Sequence, residues 1–148
     1  MKFSIVNDER FNIYVNNKYL EFSKDEDLLY DSLKKILLNI KKRYDYDVFG
    51  FYQVDIYIIE DVATILEFYK KDESFISKTI DLKLVIHNQN DIYLKFIDFL
   101  LIKKYKKIKY KNNNFYVKVI DVEKSDIEKL LEHFEIVIDK DLNNLSYI

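Results

Sequence analysis

The chain has 148 residues, 49% hydrophobic and 34% charged, with a formal net charge of -2. That length suits one compact domain or two very small ones. The balance is that of a soluble globular protein, and it speaks against a whole-chain nucleic-acid binder driven by bulk positive charge. With no cysteine there can be no disulfide or thiolate metal site, and no apolar run reaches the ~20 residues of a membrane span.

In chain order, Lys2–Val6 reads as a strand with Phe3 and Ile5 on one face. Phe11–Phe22 reads as a hairpin turning at Asn16-Asn17, with Ile13 opposite Leu20 and Phe11 opposite Phe22. Ser23 and Glu26 match a capping box, and Leu29, Leu33, Ile36, Leu37 and Ile40 form the apolar stripe of a helix over about residues 25–44. Lys41, Lys42 and Arg43 suit the negative end of that helix. Gly50–Lys71 is the strongest pattern: two long strands folded back at Glu60-Asp61-Val62. Val54, Ile56 and Ile58 alternate with Gln53, Asp55 and Tyr57, and Thr64, Leu66 and Phe68 alternate with Ile65 and Glu67.

Lys70–Lys78 is the plausible boundary between an amino-terminal half, 1–72, and a carboxy-terminal half, 79–148, which could also share one core. Thr79–His87 alternates as a strand. Residues 91–105 fit both periods, and length together with an Asn90 cap favours a helix with Tyr93, Phe96, Ile97, Leu100 and Leu101 inward. Lys106–Lys111 and Phe115–Ile120 form a hairpin around Asn112-Asn113-Asn114. Ser125 and Glu128 open a short helix with Ile127, Leu130, Leu131 and Phe134 inward, and Ile136 and Ile138 suit an edge strand. The expected fold is α+β, helices packed on mainly antiparallel sheets in the order βββαββ then βαββα. With no Pro and one Gly, Asn and Asp must make the turns.

The run Lys109-Tyr110-Lys111-Asn112-Asn113-Asn114-Phe115-Tyr116-Val117, followed by the helix at Ser125–Phe134, resembles the carboxy-terminal part of the MecA family of adaptors for the bacterial Clp unfoldase. The order of elements over most of the chain is similar too, although the chain is shorter and lacks that family's long acidic linker. The resemblance implies a non-catalytic adaptor and assigns no binding residue.

Catalytic signatures are sparse. His87 has only Asp91 nearby, and His133 has only Glu128 and Glu132, so neither reads as a metal ligand set. No Ser stands in a nucleophile elbow, and a single Gly leaves no phosphate-cradling loop. Asp55, Glu60, Asp61 and Glu67 read as turn or exposed-face carboxylates; an enzyme site, if present, falls at His87 or on the Asp55/Glu67 face. Two surfaces suggest partners. Tyr44, Tyr46, Phe49, Phe51 and Tyr52 cluster where helix meets strand, in keeping with a protein interface. Lys103, Lys104, Lys106, Lys107, Lys109 and Lys111 interleave with Tyr105, Ile108 and Tyr110, which suits single-stranded nucleic acid through Lys104, Lys107 and Lys109, or simply a solvated strand edge. The sequence therefore favours a cytoplasmic interaction protein without cofactor or metal, an adaptor or an inhibitor of a larger complex, over a small nucleic-acid-binding module using the Lys103–Lys111 patch.

Overall fold

The computed structural model describes residues 1–16, 25–60, 62–72, 79–130 and 133–148. These residues carry nine strands and two α-helices in two sheets, the α+β architecture expected. They divide into two compact units, Met1–Ile86 and His87–Ile148.

Unit 1 begins with β1 (Lys2–Asn7), β2 (Arg10–Asn16) and α1 (Glu26–Tyr44). It continues with β3 (Gly50–Ile59), β4 (Ala63–Asp72) and β5 (Ile80–His87), and its sheet has the order β1-β2-β4-β3-β5. The β3–β4 hairpin is the central pair, with Val54 opposite Phe68 and Ile56 opposite Leu66. One sheet face meets the apolar stripe of α1. Leu29, Leu33, Ile36, Leu37 and Ile40 are buried against Phe11, Ile13, Val54, Ile56, Leu66 and Phe68. The spacing of those five helix residues places them on a single side, so burying them fixes both the helix and its position on the sheet.

Three expectations change here. Both edges of β2 are taken by β1 and β4, and the returning arm of the hairpin expected at Asn16-Asn17 lies outside the described residues. Ile13 faces Phe3 on one side and Leu66 on the other, and Phe11 faces Ile5 and Phe68. Leu20, Phe22 and Ser23 lie outside the described residues. The cap of α1 is Asp25, whose carboxylate accepts from the amides of Asp27 (3.0 Å) and Leu28 (3.2 Å). The strand expected to open the second half is β5, the edge of the first sheet next to β3.

Backbone turns follow the scarcity of glycine. Asp45 ends α1 in the left-handed region (φ 50°), and Asn112 and Asn113 adopt φ of 51° and 66°. Asn and Asp tolerate that region at modest cost. The chain's one glycine, Gly50, sits at φ 138°, a conformation that side-chain-bearing residues rarely adopt.

Unit 2 holds β6 (Tyr93–Phe96), β7 (Ile108–Lys111), β8 (Asn114–Lys118), α2 (Lys124–Lys129) and β9 (Phe134–Val137), with sheet order β7-β8-β6-β9. The helix expected over 91–105 is instead a short strand followed by a 3-10 turn at Phe99–Leu101. Strand geometry prevails because β8 and β9 pair with β6 on both sides, burying Leu94 and Phe96 completely. The Asn112-Asn113 turn joins β7 to β8 as a tight hairpin. Helix α2 begins at Lys124, which puts Ser125 within the helix instead of at its cap; Ile127 is buried. The expected edge strand is β9, with Ile136 opposite Leu94.

Candidate functional site

The aromatic group at the end of α1 is divided between core and surface. Tyr52 is 2% exposed and belongs to the core, its ring edge-on to Phe11 (5.6 Å between centroids) and Phe68. Burial, aided by Tyr46 and Asp47, pushes its hydroxyl pKa well above the ordinary value. Tyr46 packs edge-on to Phe3 and Phe11. Tyr44 and Phe51 keep exposed surface, but Tyr44 also leans on Phe3. Phe49 lies partly buried beneath the Lys41 ammonium. Within this group Tyr46 and Tyr52 thus serve packing, with ring pairs at 5.3–5.6 Å.

The lysine run is also broken up. Lys109 is 5% exposed, so it does not reach the surface where a phosphate would sit. Lys104 is ion-paired with Asp126, which also accepts from the Tyr105 hydroxyl. Those bonds hold the Asp126 carboxyl below the usual carboxylate range and the Lys104 ammonium above its own. Lys107 lies 3.9 Å from Asp121, and Lys111 lies 2.7 Å from Asp139. Lys103 and Lys106 are exposed. Three of the six lysines in the run, Lys104, Lys107 and Lys111, are met by carboxylates from elsewhere in unit 2.

The face of the first sheet opposite α1 carries a polar cluster. Cross-strand partners share a face, so Asn12, Glu67 and Asp55 form one row and Arg10, Tyr69 and Gln53 the next. Glu67 is buried, and its carboxylate accepts from Arg10 Nη2 (3.2 Å), Tyr57 OH (3.1 Å) and Tyr69 OH (2.7 Å). Burial is the main reason both tyrosine hydroxyls titrate far above their ordinary range, and Glu67 adds to it. Gln53 donates to Asp55 at 3.2 Å. With its oxygens occupied by three donors, Glu67 is a structural anchor, unlike the exposed carboxylate the alternation suggested. His133 is exposed, and among the described residues no three His, Asp or Glu converge as a metal site.

The surface that sequence reading missed lies in unit 2. Ile97 is 81% exposed and Leu100 is 70% exposed, with Phe99 between them at 39%. The Phe99 ring meets Phe115 (5.2 Å), and Phe115 meets the exposed Tyr110 (5.2 Å), so the apolar surface continues from the 3-10 turn across the β7–β8 hairpin. Asp98 caps that turn, accepting from the Leu100 amide at 2.9 Å, which fixes the backbone carrying these side chains. A helix assignment hid this patch by turning Ile97 and Leu100 inward. The strand alternation of Ile92, Leu94 and Phe96 would have left Ile97 outside.

No known family, curated protein or solved structure matches the chain. The geometry of its own surfaces therefore carries the functional reading. No helix among the described residues is long and apolar enough to cross a membrane.

Proposed function

We propose that the protein is a non-catalytic interaction protein, an adaptor or an inhibitor of a larger complex, and that it meets its partner through the apolar turn of unit 2. The observation that carries this reading is the pair Ile97 and Leu100, both left largely in water beside Phe99. Single exposed apolar residues are ordinary, but a contiguous apolar and aromatic patch on a capped turn is what interfaces use as an anchor. The resemblance of the Lys109–Val117 run to the MecA family is in keeping with the adaptor form of the reading. With residues 139–148 in place, the ion pairing of Lys104, Lys107 and Lys111 and the burial of Lys109 weigh against the 103–111 run as an open nucleic-acid surface.

The test is capture of partners by the tagged full chain from host lysate, with nuclease and at two salt concentrations. The comparison is with an Ile97→Ser/Leu100→Ser variant. A stoichiometric protein partner should survive nuclease and salt with the native chain and be lost with the variant, while Phe51→Ser retains it. Equal recovery by the native chain and the double variant would remove this turn from the interface. Nucleic acid as the sole recovered species would remove the protein-partner reading itself.

A further inference from the structure

The second sheet has a face that the interaction reading does not use. Lys109, Tyr116, Lys95 and Glu135 stand in one cross-strand row, and Lys118, Tyr93 and Val137 stand in the next. Lys111, two residues beyond Lys109 on β7, falls on the same face. Two tyrosines on the central strands β6 and β8 are thus surrounded by four lysines, with Glu135 the one acid in these rows, 3.4 Å from Lys95.

This face is closed by residues 139–148. Leu142 is fully buried and clusters with Tyr93 and Tyr116. Its carbonyl accepts from the Lys109 ammonium at 2.6 Å, and that ammonium lies over the rings of Tyr93 (5.7 Å) and Tyr147 (5.3 Å). Asp139 accepts from Lys111 at 2.7 Å, Asp141 lies 3.9 Å from the same ammonium, and Asn143 accepts from the Tyr93 hydroxyl at 2.8 Å. The Ile148 amide donates to the Ile108 carbonyl at 2.8 Å, fastening the segment to β7.

The chemistry of this closure is unusual in one respect. Lysine is among the residues least often buried, and buried ammonium groups ordinarily have a carboxylate partner. Lys109 donates to a carbonyl and, at 3.5 Å, to the Tyr93 hydroxyl, and it lies over two ring faces; burial together with Lys118 lowers its pKa. An apolar side chain would fill the same position without desolvating a charge. The closing segment also supplies oxygen acceptors to Lys109 and Lys111 and an apolar group against the tyrosines. Those are the contacts that phosphates and bases make on an aromatic, basic sheet.

We infer that the tyrosine–lysine face of the second sheet is a binding site for single-stranded nucleic acid, kept closed by residues 139–148 acting as an internal mimic of the strand. Opening the segment removes Asp139 and Asp141 and leaves Tyr93 and Tyr116 for base stacking, with Lys109, Lys111 and Lys118 for phosphates.

The experiment measures fluorescence anisotropy of labelled uridine and thymidine oligomers of about ten nucleotides, a length within the range of such sites. They are titrated with the full chain, native and Leu142→Asp, and the two oligomers separate RNA from DNA as the ligand. The open variant should bind at least one oligomer about tenfold or more tighter than the native chain, with affinity falling steeply as salt rises. Adding Lys109→Met or Tyr116→Ala should return it to the native level. A Leu142→Asp chain whose β6 and β8 amides remain protected from exchange, yet which binds no tighter, overturns the inference. So does tightening that survives both Lys109→Met and Tyr116→Ala. Should Leu142→Asp unfold the sheet, Asp139→Asn/Asp141→Asn loosens the same segment at Lys111, and the same two outcomes decide.

Discussion

Glu67 illustrates what one residue's pattern does and does not reveal. Alternation along β4 correctly set it on the opposite face from Leu66 and Phe68, but alternation reports only which side a residue takes. Whether that side is wet depends on neighbours that are distant in sequence: Arg10 on β2 and Tyr57 on β3 are brought to the carboxylate by strand pairing. Removing a buried carboxylate that accepts from three donors takes an acceptor from each of them, so Glu67→Ala should destabilise unit 1 by about 3 kcal/mol. Glu67→Gln keeps the shape and one acceptor oxygen and should lose about half as much. Urea unfolding followed by far-UV circular dichroism measures both, and equal stability of Glu67→Ala and the native chain would show that the network contributes nothing. Lys109 makes the same point in reverse, since a run of lysines reads as solvated until the fold places one of them beneath Leu142.

Elements were legible where one period had no rival. The five-residue stripe of α1 matches its buried side completely, and the β3–β4 hairpin turns where its acidic residues indicated. The 91–105 stretch failed for a physical reason: Ile92, Leu94 and Phe96 suit a strand as well as Tyr93, Phe96 and Leu100 suit a helix, and only pairing to β8 and β9 decides between them. That ambiguity concealed the exposed turn, so the candidate interface was the least legible part of the chain. Capping-box spacing places the start of α1 too early and that of α2 too late. Ser23 was favoured for its capping-box spacing, whereas Asp25 accepts from two amides of the first turn. An N-cap of this kind contributes about 1 kcal/mol, so Asp25→Ala should lower the stability of unit 1 by that amount, and Asp25→Ser should restore most of it. The readout is again urea unfolding; a neutral Asp25→Ala would mean that the amides find acceptors elsewhere.

At the scale of the whole chain, the two units differ in the charges that hold them, and pH should separate them. Among the described residues, the two carboxyls held below their usual range, Asp126 and Asp139, both lie in unit 2. The first is held down by Lys104 and Tyr105, the second by Lys111. A carboxyl with a depressed folded pKa stabilises the fold above its unfolded pKa of about 4, and that contribution disappears as the pH falls through the lowered folded value. Unit 2 should therefore weaken in acid before unit 1 does. On the alkaline side the sign runs through the tyrosines. Tyr52, Tyr57 and Tyr69 in unit 1 and Tyr93 and Tyr105 in unit 2 all have raised pKa values, principally through burial. Their stabilisation is intact below the unfolded value of about 10 and is lost as the pH climbs from there toward the folded values, because the unfolded chain ionises first. Both units should then soften together. Amide exchange resolved by residue tests this directly, comparing Leu94 and Val117 with Val54 and Leu66 at pH about 3, 7 and 11, values chosen to straddle the ordinary carboxyl and phenol ranges. Protection lost first from Leu94 and Val117 in acid, and from all four in alkali, is the expected pattern. Loss of Val54 and Leu66 first in acid would show that the Lys104–Asp126 and Lys111–Asp139 pairs do not govern the acid limit of unit 2.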